Sequence, residues 1–134
     1  MGAIGCGIGK VQIMDKRRIS EALGSHPYGA LTIHDVHLVN WGRDVAFACV
    51  YDPGGPSKAI SFQLVFEDCR EMRWKAYAHL DVDGTAQQPV TPVVDLRLGR
   101  DQHRTPASIL TDHFGVSLYY GALVIQTAAQ RVTL

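Results

Sequence analysis

The chain has 134 residues, 46% of them hydrophobic and 19% charged, which suits one domain with a sizeable core and leaves too little for two. Thirteen Lys and Arg balance thirteen Asp and Glu, so net charge supplies no pull toward nucleic acid or an anionic membrane and no repulsion between copies. No stretch approaches the roughly 20 apolar residues of a membrane-crossing helix.

Three cysteines, Cys6, Cys49 and Cys69, are odd in number and lack Cys-x-x-Cys spacing, which implies neither a disulfide framework nor a zinc knuckle. Reduced, structural thiols are expected. The opening Met-Gly-Ala-Ile-Gly-Cys lacks the charged and apolar regions of an export leader, and the expectation is a cytoplasmic protein. Glycines at positions 2, 5, 7 and 9 fit neither the P-loop nor the dinucleotide spacing, because Val11 and Lys10 stand where those patterns need Ser or Thr and Gly. A short strand from Ile8 to Met14 is the better reading.

Asp15 offers an N-cap for a short helix through Leu23, with Ile19, Ala22 and Leu23 on its apolar side and Gly24 as the stop. Ser25 to Gly29 is a loop. From Ala30 the period changes to two: Leu31, Ile33 and Val39 fall on one side with Asp35 and His37 between them, and Thr32, His34, Val36 and Leu38 on the other. The polar interruption at His34-Asp35 marks a bulge. Asn40 to Arg43 connects by a hairpin to Asp44–Tyr51, both of whose faces read as buried. Asp52-Pro53-Gly54-Gly55-Pro56 is the strongest turn, because its prolines deny ladder donors and its glycines supply positive φ.

The next two segments alternate most clearly. Lys58–Glu67 places Ile60, Phe62, Leu64 and Phe66 on one face. Asp68–Val82 turns Met72, Trp74, Ala76, Ala78 and Leu80 inward and Arg73, Lys75, Tyr77, His79 and Asp81 outward. A further strand, Val93–Leu98, carries Val94, Leu96 and Leu98 inward. Thr105-Pro106 then reads as an N-cap and an N1 proline for a second helix through Phe114, stopped by Gly115. Val116–Tyr120, Ala122–Thr127 and Arg131–Leu134 close the chain as strands. The fold class expected is α+β, mainly β: a strongly twisted antiparallel sheet, a β-sandwich or a partial barrel, with one or two short helices, in a single domain over residues 1–134.

His34-Asp35-x-His37 is the sharpest chemical motif. Asp35 and His37 share a face of a strand and suit a carboxylate-oriented histidine or two metal ligands. Zinc needs a third ligand, from His26, His79 or His113; a polar rim with Asp35 capping a local turn accounts for the same letters, and no metal or cofactor is expected. The candidate ligand-binding set is His34, Asp35, His37, Trp41, Trp74 and His113. His79, Asp81 and Asp83 open like a calcium loop but lack its later acidic positions. Ser108, Asp112 and His113 carry the letters of a hydrolase triad within one short segment and without a Gly-x-Ser-x-Gly elbow. Arg70, Arg73, Lys75 and Tyr77 form a basic, aromatic strand of the kind that holds single-stranded nucleic acid, against which the charge balance argues.

The order His34-Asp35-x-x-Leu38, a hairpin, a strand pair up to Trp74, and Pro106-Ala107-Ser108-Ile109 before a final hairpin resembles small uncharacterised bacterial β-rich proteins that begin their sheet with His-Asp-x-x-Leu. The likeness covers residues 33 to 134. It departs at Val39-Asn40-Trp41-Gly42, which replaces an acidic-aromatic strand, and at a longer insertion from Asp81 to Pro92. It implies a twisted β-rich fold; the proteins the chain resembles are of unknown activity, and some of them look like immunity or accessory proteins. Together these features lead to a non-catalytic binding or accessory module, a homodimer that uses a sheet face or edge strand, with a protein partner or small molecule as the ligand. The alternative is a small-molecule-binding domain or small enzyme with its pocket between the sheet and the 105–114 helix.

Overall fold

The computed structural model describes residues 15–77, 90–99 and 105–134. The expected strand from Ile8 to Met14 and the far part of Asp68–Val82 lie outside the described residues. Residues 15–22 form helix α1, and Gly24 follows it in the left-handed region at φ 75°. The apolar side read from the sequence is the one that packs: Ile19 is fully buried, and Ala22 and Leu23 sit against the core. Asp15, expected as the cap, is itself helical. Its carboxylate instead accepts a hydrogen bond from the Leu98 amide at 3.2 Å, which ties the helix to the sheet.

Nine strands follow among the described residues: β1 (Ala30–Val39), β2 (Asp44–Asp52), β3 (Ile60–Glu67), β4 (Met72–Ala76), β5 (Thr91–Arg97), β6 (Ala107–Thr111), β7 (Phe114–Leu118), β8 (Ala122–Gln126) and β9 (Arg131–Thr133). They form one antiparallel sheet in the order β4-β7-β6-β5-β1-β2-β3-β8-β9, which does not close into a barrel. Its two halves meet where β1 pairs with β5 through only Thr32–Pro92 and Ile33–Thr91.

The halves fold toward each other around aromatic rings. Phe47 of β2 lies 6.3 Å from Phe114 of β7 with their planes 7° apart, and Phe66 of β3 meets Tyr120 edge-on at 5.1 Å. Tyr51, Phe47, Phe66, Ile109, Leu118 and Ile125 are among the side chains wholly removed from water. The crossing from β3 to β4 is fastened to the turn end of the β1–β2 hairpin: the Cys69 amide donates to the Arg43 carbonyl at 2.7 Å, and Arg43 Nε bonds Asp68 at 3.2 Å.

Three expectations are corrected. No helix covers 105–114; that segment is β6, a tight turn and the start of β7. Adjacent Ile109 and Leu110, followed by Phe114, imitate a helical stripe, but the burial runs Ala107, Ile109, Thr111, Phe114, Val116, Leu118, with Leu110 partly exposed. Thr111 closes the turn, its hydroxyl accepting from the His113 and Phe114 amides at 3.1 and 3.0 Å. β-branched Ile109 and Thr111 suit that strand better than a helix.

Val94, expected inward, is exposed because the β5–β6 register shifts between Val93 and Asp95. The bulge anticipated at His34-Asp35 is present, with the register jumping from Ile33–Cys49 to Asp35–Ala48. It reverses the alternation beyond it, so Val36 pairs with Phe47 and packs on the core, whereas Asp35 and His37 stand opposite Ala48 and Ala46. Residues opposite one another share a face; Asp35 and His37 therefore leave the side occupied by Leu31 and Ile33.

Candidate functional site

Two concave regions are formed by described residues. One is a broad, open depression of about 520 Å³ on the β1–β2–β3–β8 part of the sheet, lined by His34, Val50, Ser61, Gln63, Gln126 and Thr127 among others. His34 Nε2 lies 3.2 Å from Thr32 Oγ1 there. The other is a smaller cavity of about 160 Å³ between the two halves, where β1, β4 and the β6–β7 turn converge.

Trp74 and Phe114 line this second cavity. Their rings are 4.4 Å apart and 10° from parallel. Phe114 also stacks on Phe47, so three flat rings run from the core to the half-exposed indole, whose relative exposure is 44%. Ile33, Val36 and Ala76 add apolar wall, Thr91 and His113 add polar groups, and Asp35 also borders the cavity although its side chain turns to the other face of β1 toward His37. Thr91 is only 3% exposed, and its Oγ1 has no hydrogen-bond partner among the described residues. Thr91 faces inward because it pairs with buried Ile33.

Asp35 is held from two sides. Its Oδ1 accepts the Val36 amide at 2.9 Å, and its Oδ2 lies 3.2 Å from His37 Nε2, with both side chains about half exposed. An exposed pair of this kind contributes little to stability and leaves the imidazole facing water. Among the described residues no group of three or more His, Cys, Asp and Glu side chains is placed to share a metal ion. His26, one of the three proposed third ligands, lies beside Tyr28, their rings 5.9 Å apart, and His113 belongs to the β6–β7 turn; His79, with Asp81 and Asp83, lies outside the described residues.

The structure thus gathers Asp35, Trp74 and His113 around one cavity and disperses the rest of the set. His34 lies on the open depression, His37 at the bulge, and Trp41 at the tip of the β1–β2 hairpin, wholly exposed. Sequence reading missed Thr91 and Phe114, which complete the cavity. Phe114 was hidden by its assignment to a helix. Thr91 gave no signal beyond a hydroxyl at the start of an apolar strand.

The hydrolase letters do not assemble. Ser108 alternates with buried Ala107 and Ile109 on β6, and so points away from the side on which His113 lines the cavity. On the basic strand, Arg70 lies 3.8 Å from Asp68, Arg73 lies 3.8 Å from Glu71, and Lys75 sits over the Tyr77 ring. Both cysteines among the described residues are free and buried. Burial pushes the Cys49 thiol up to about 12 and that of Cys69 up to about 11, the latter helped by the nearby carboxylates of Asp44 and Asp68. Neither is poised as a nucleophile, since the thiolate is the reactive form.

The sequence matches no protein-family model, and no curated protein is detectably similar to it.

Proposed function

We propose that this protein is a non-catalytic binding module that acts through protein–protein contact, first of all with a second copy of itself, and that the tip of the β1–β2 hairpin is its contact surface. One observation carries the reading. Trp41 stands entirely in water on a turn where it adopts φ 62°, a left-handed conformation that costs a non-glycine residue roughly 1–2 kcal/mol.

Neither property serves the fold. A hairpin of this kind is satisfied by Asn-Gly, which tolerates positive φ without an exposed ring. Covering a tryptophan removes about 150–250 Å² from water, worth about 4–6 kcal/mol at the usual coefficient. Leu38 and Val39 continue the exposed apolar surface from the end of β1. Tryptophan anchors flanked by such residues are typical centres of binding energy at interfaces.

The edge strands fit a dimer less well. An antiparallel pairing of two β4 edges centred on Trp74 would set Arg73 against Lys75 across the seam, and like charges directly opposite are destabilising. β9 has only three residues. A two-fold, tip-to-tip contact, in which one patch serves both copies, avoids both obstacles, and the zero net charge removes long-range repulsion.

Light scattering coupled to size-exclusion chromatography tests it across a wide concentration range. Wild type is expected to move from monomer to dimer, whereas Trp41→Gly, which relieves the turn, remains monomeric with an unchanged circular dichroism spectrum. A wild type that stays monomeric throughout overturns the dimer, and a Trp41→Gly protein that still dimerises overturns the tip as its surface.

A further inference from the structure

We infer that the cavity between the two halves of the sheet is a binding site for a small, single-ring aromatic molecule that carries one hydroxyl, neutral rather than anionic. Three independent features of the cavity define this ligand. Its size comes first: about 160 Å³ matches the roughly 150 Å³ in which an apolar cavity binds benzene, and it falls below the usual volume of sites for larger ligands.

Shape is the second. Trp74 and Phe114 present parallel rings, 10° apart in plane, so the wall they form is flat. A planar ring lies against such a wall in the offset-stacked arrangement that aromatic pairs prefer. Ala76 keeps the wall open, because its methyl group is the smallest that a strand position can contribute next to the paired Phe114.

Polarity is the third. The Thr91 hydroxyl lies on the cavity lining, 3% exposed and without a partner among the described residues. A buried hydroxyl without a hydrogen bond is destabilising, and a ligand hydroxyl can either donate to it or accept from it. The lining holds no lysine or arginine among the described residues, and a carboxylate buried there would lack a cationic partner, which disfavours an anionic ring such as benzoate. The site is distinct from the hairpin tip, so it stands or falls separately from the dimer.

Two-dimensional amide NMR of the ¹⁵N-labelled full chain, titrated with phenol, toluene and benzoate, tests the inference. Phenol is expected to produce saturable shifts at Thr91, Ala76 and Phe114 and at the Trp74 indole N–H, and benzoate none. Thr91→Val, which keeps the shape and removes the hydroxyl, is expected to weaken phenol about tenfold, the worth of one hydrogen bond, and to leave toluene unchanged. Ala76→Leu, a change on an exposed edge strand that fills the cavity, is expected to abolish both. Trp41→Gly should alter none of these values. Absence of saturable shifts with phenol overturns the site. Phenol affinity unchanged by Thr91→Val overturns the polar contact, and affinity unchanged by Ala76→Leu shows that phenol partitions onto another surface.

Discussion

At Thr91 the isosteric change Thr91→Val exchanges a buried hydroxyl lacking a partner among the described residues for a methyl group. The ligand-free protein should therefore gain about 1 kcal/mol, visible as a rise of a few degrees in Tm. Gly29 behaves in the opposite way. A Cβ there would lie 2.5 Å from the Asp52 carbonyl oxygen and 2.7 Å from the Tyr51 ring, while the Gly29 amide donates to the Tyr51 hydroxyl at 2.8 Å. Backbone cannot yield as a flexible side-chain end can, and Gly29→Ala should cost about 3 kcal/mol in chemical denaturation. Cys49 sets an alkaline limit. Its thiol rises from an ordinary value of 9.0 to about 12 in the fold through burial, so the folded state holds its proton more tightly than the unfolded chain. The stability this confers is complete below about pH 9 and is lost as pH climbs toward 12. Denaturation measured from pH 8 to pH 11 should fall with a slope that flattens in Cys49→Ala.

At the scale of elements, the β6–β7 hairpin is where local signals and long-range packing disagree. Thr105-Pro106 has the grammar of a helix start, yet the turn that forms is organised by the Thr111 hydroxyl, which takes two amide protons. Thr111→Val should cost about 1–3 kcal/mol, because it leaves these amides unpaired in a buried place. Thr105→Ala, which would remove a helix cap and cost about 1 kcal/mol if the helix existed, should be nearly neutral in the same denaturation experiment. The strands β1, β2, β3, β8 and β9 were legible because their apolar residues alternate and strong turn residues separate them. The hairpin was not, since Ile109 beside Leu110 makes alternation and helical spacing look alike over five residues. The bulge in β1 was read correctly from two polar letters, but its effect on the residues beyond it depends on the register against β2, which no local pattern contains.

For the whole molecule, the open sheet leaves β4 as an edge among the described residues, and Arg73 and Lys75 are exposed on it. These charges discourage further strand addition. Replacing both with threonine should leave the fold intact and raise aggregation, measured as light scattering on prolonged incubation at 37 °C. The way the two halves approach each other was illegible for a related reason: only two residue pairs join β1 to β5, and the contacts that bring Phe47 to Phe114 and Trp74 are distant in sequence. Asp35, Trp74 and His113 were named from the sequence for their chemistry. Their convergence on one cavity depends on that closure.

The two tryptophans occupy opposite surroundings, Trp41 in bulk water and Trp74 against the ring of Phe114. The chain consequently carries two built-in optical reporters with separable colours. Excited selectively, the solvated indole emits toward the red and shifts blue only when another surface covers the hairpin. The stacked indole answers instead to whatever enters beside it, so a single emission spectrum, recorded against protein concentration and then against phenol, follows association and cavity filling as separate events.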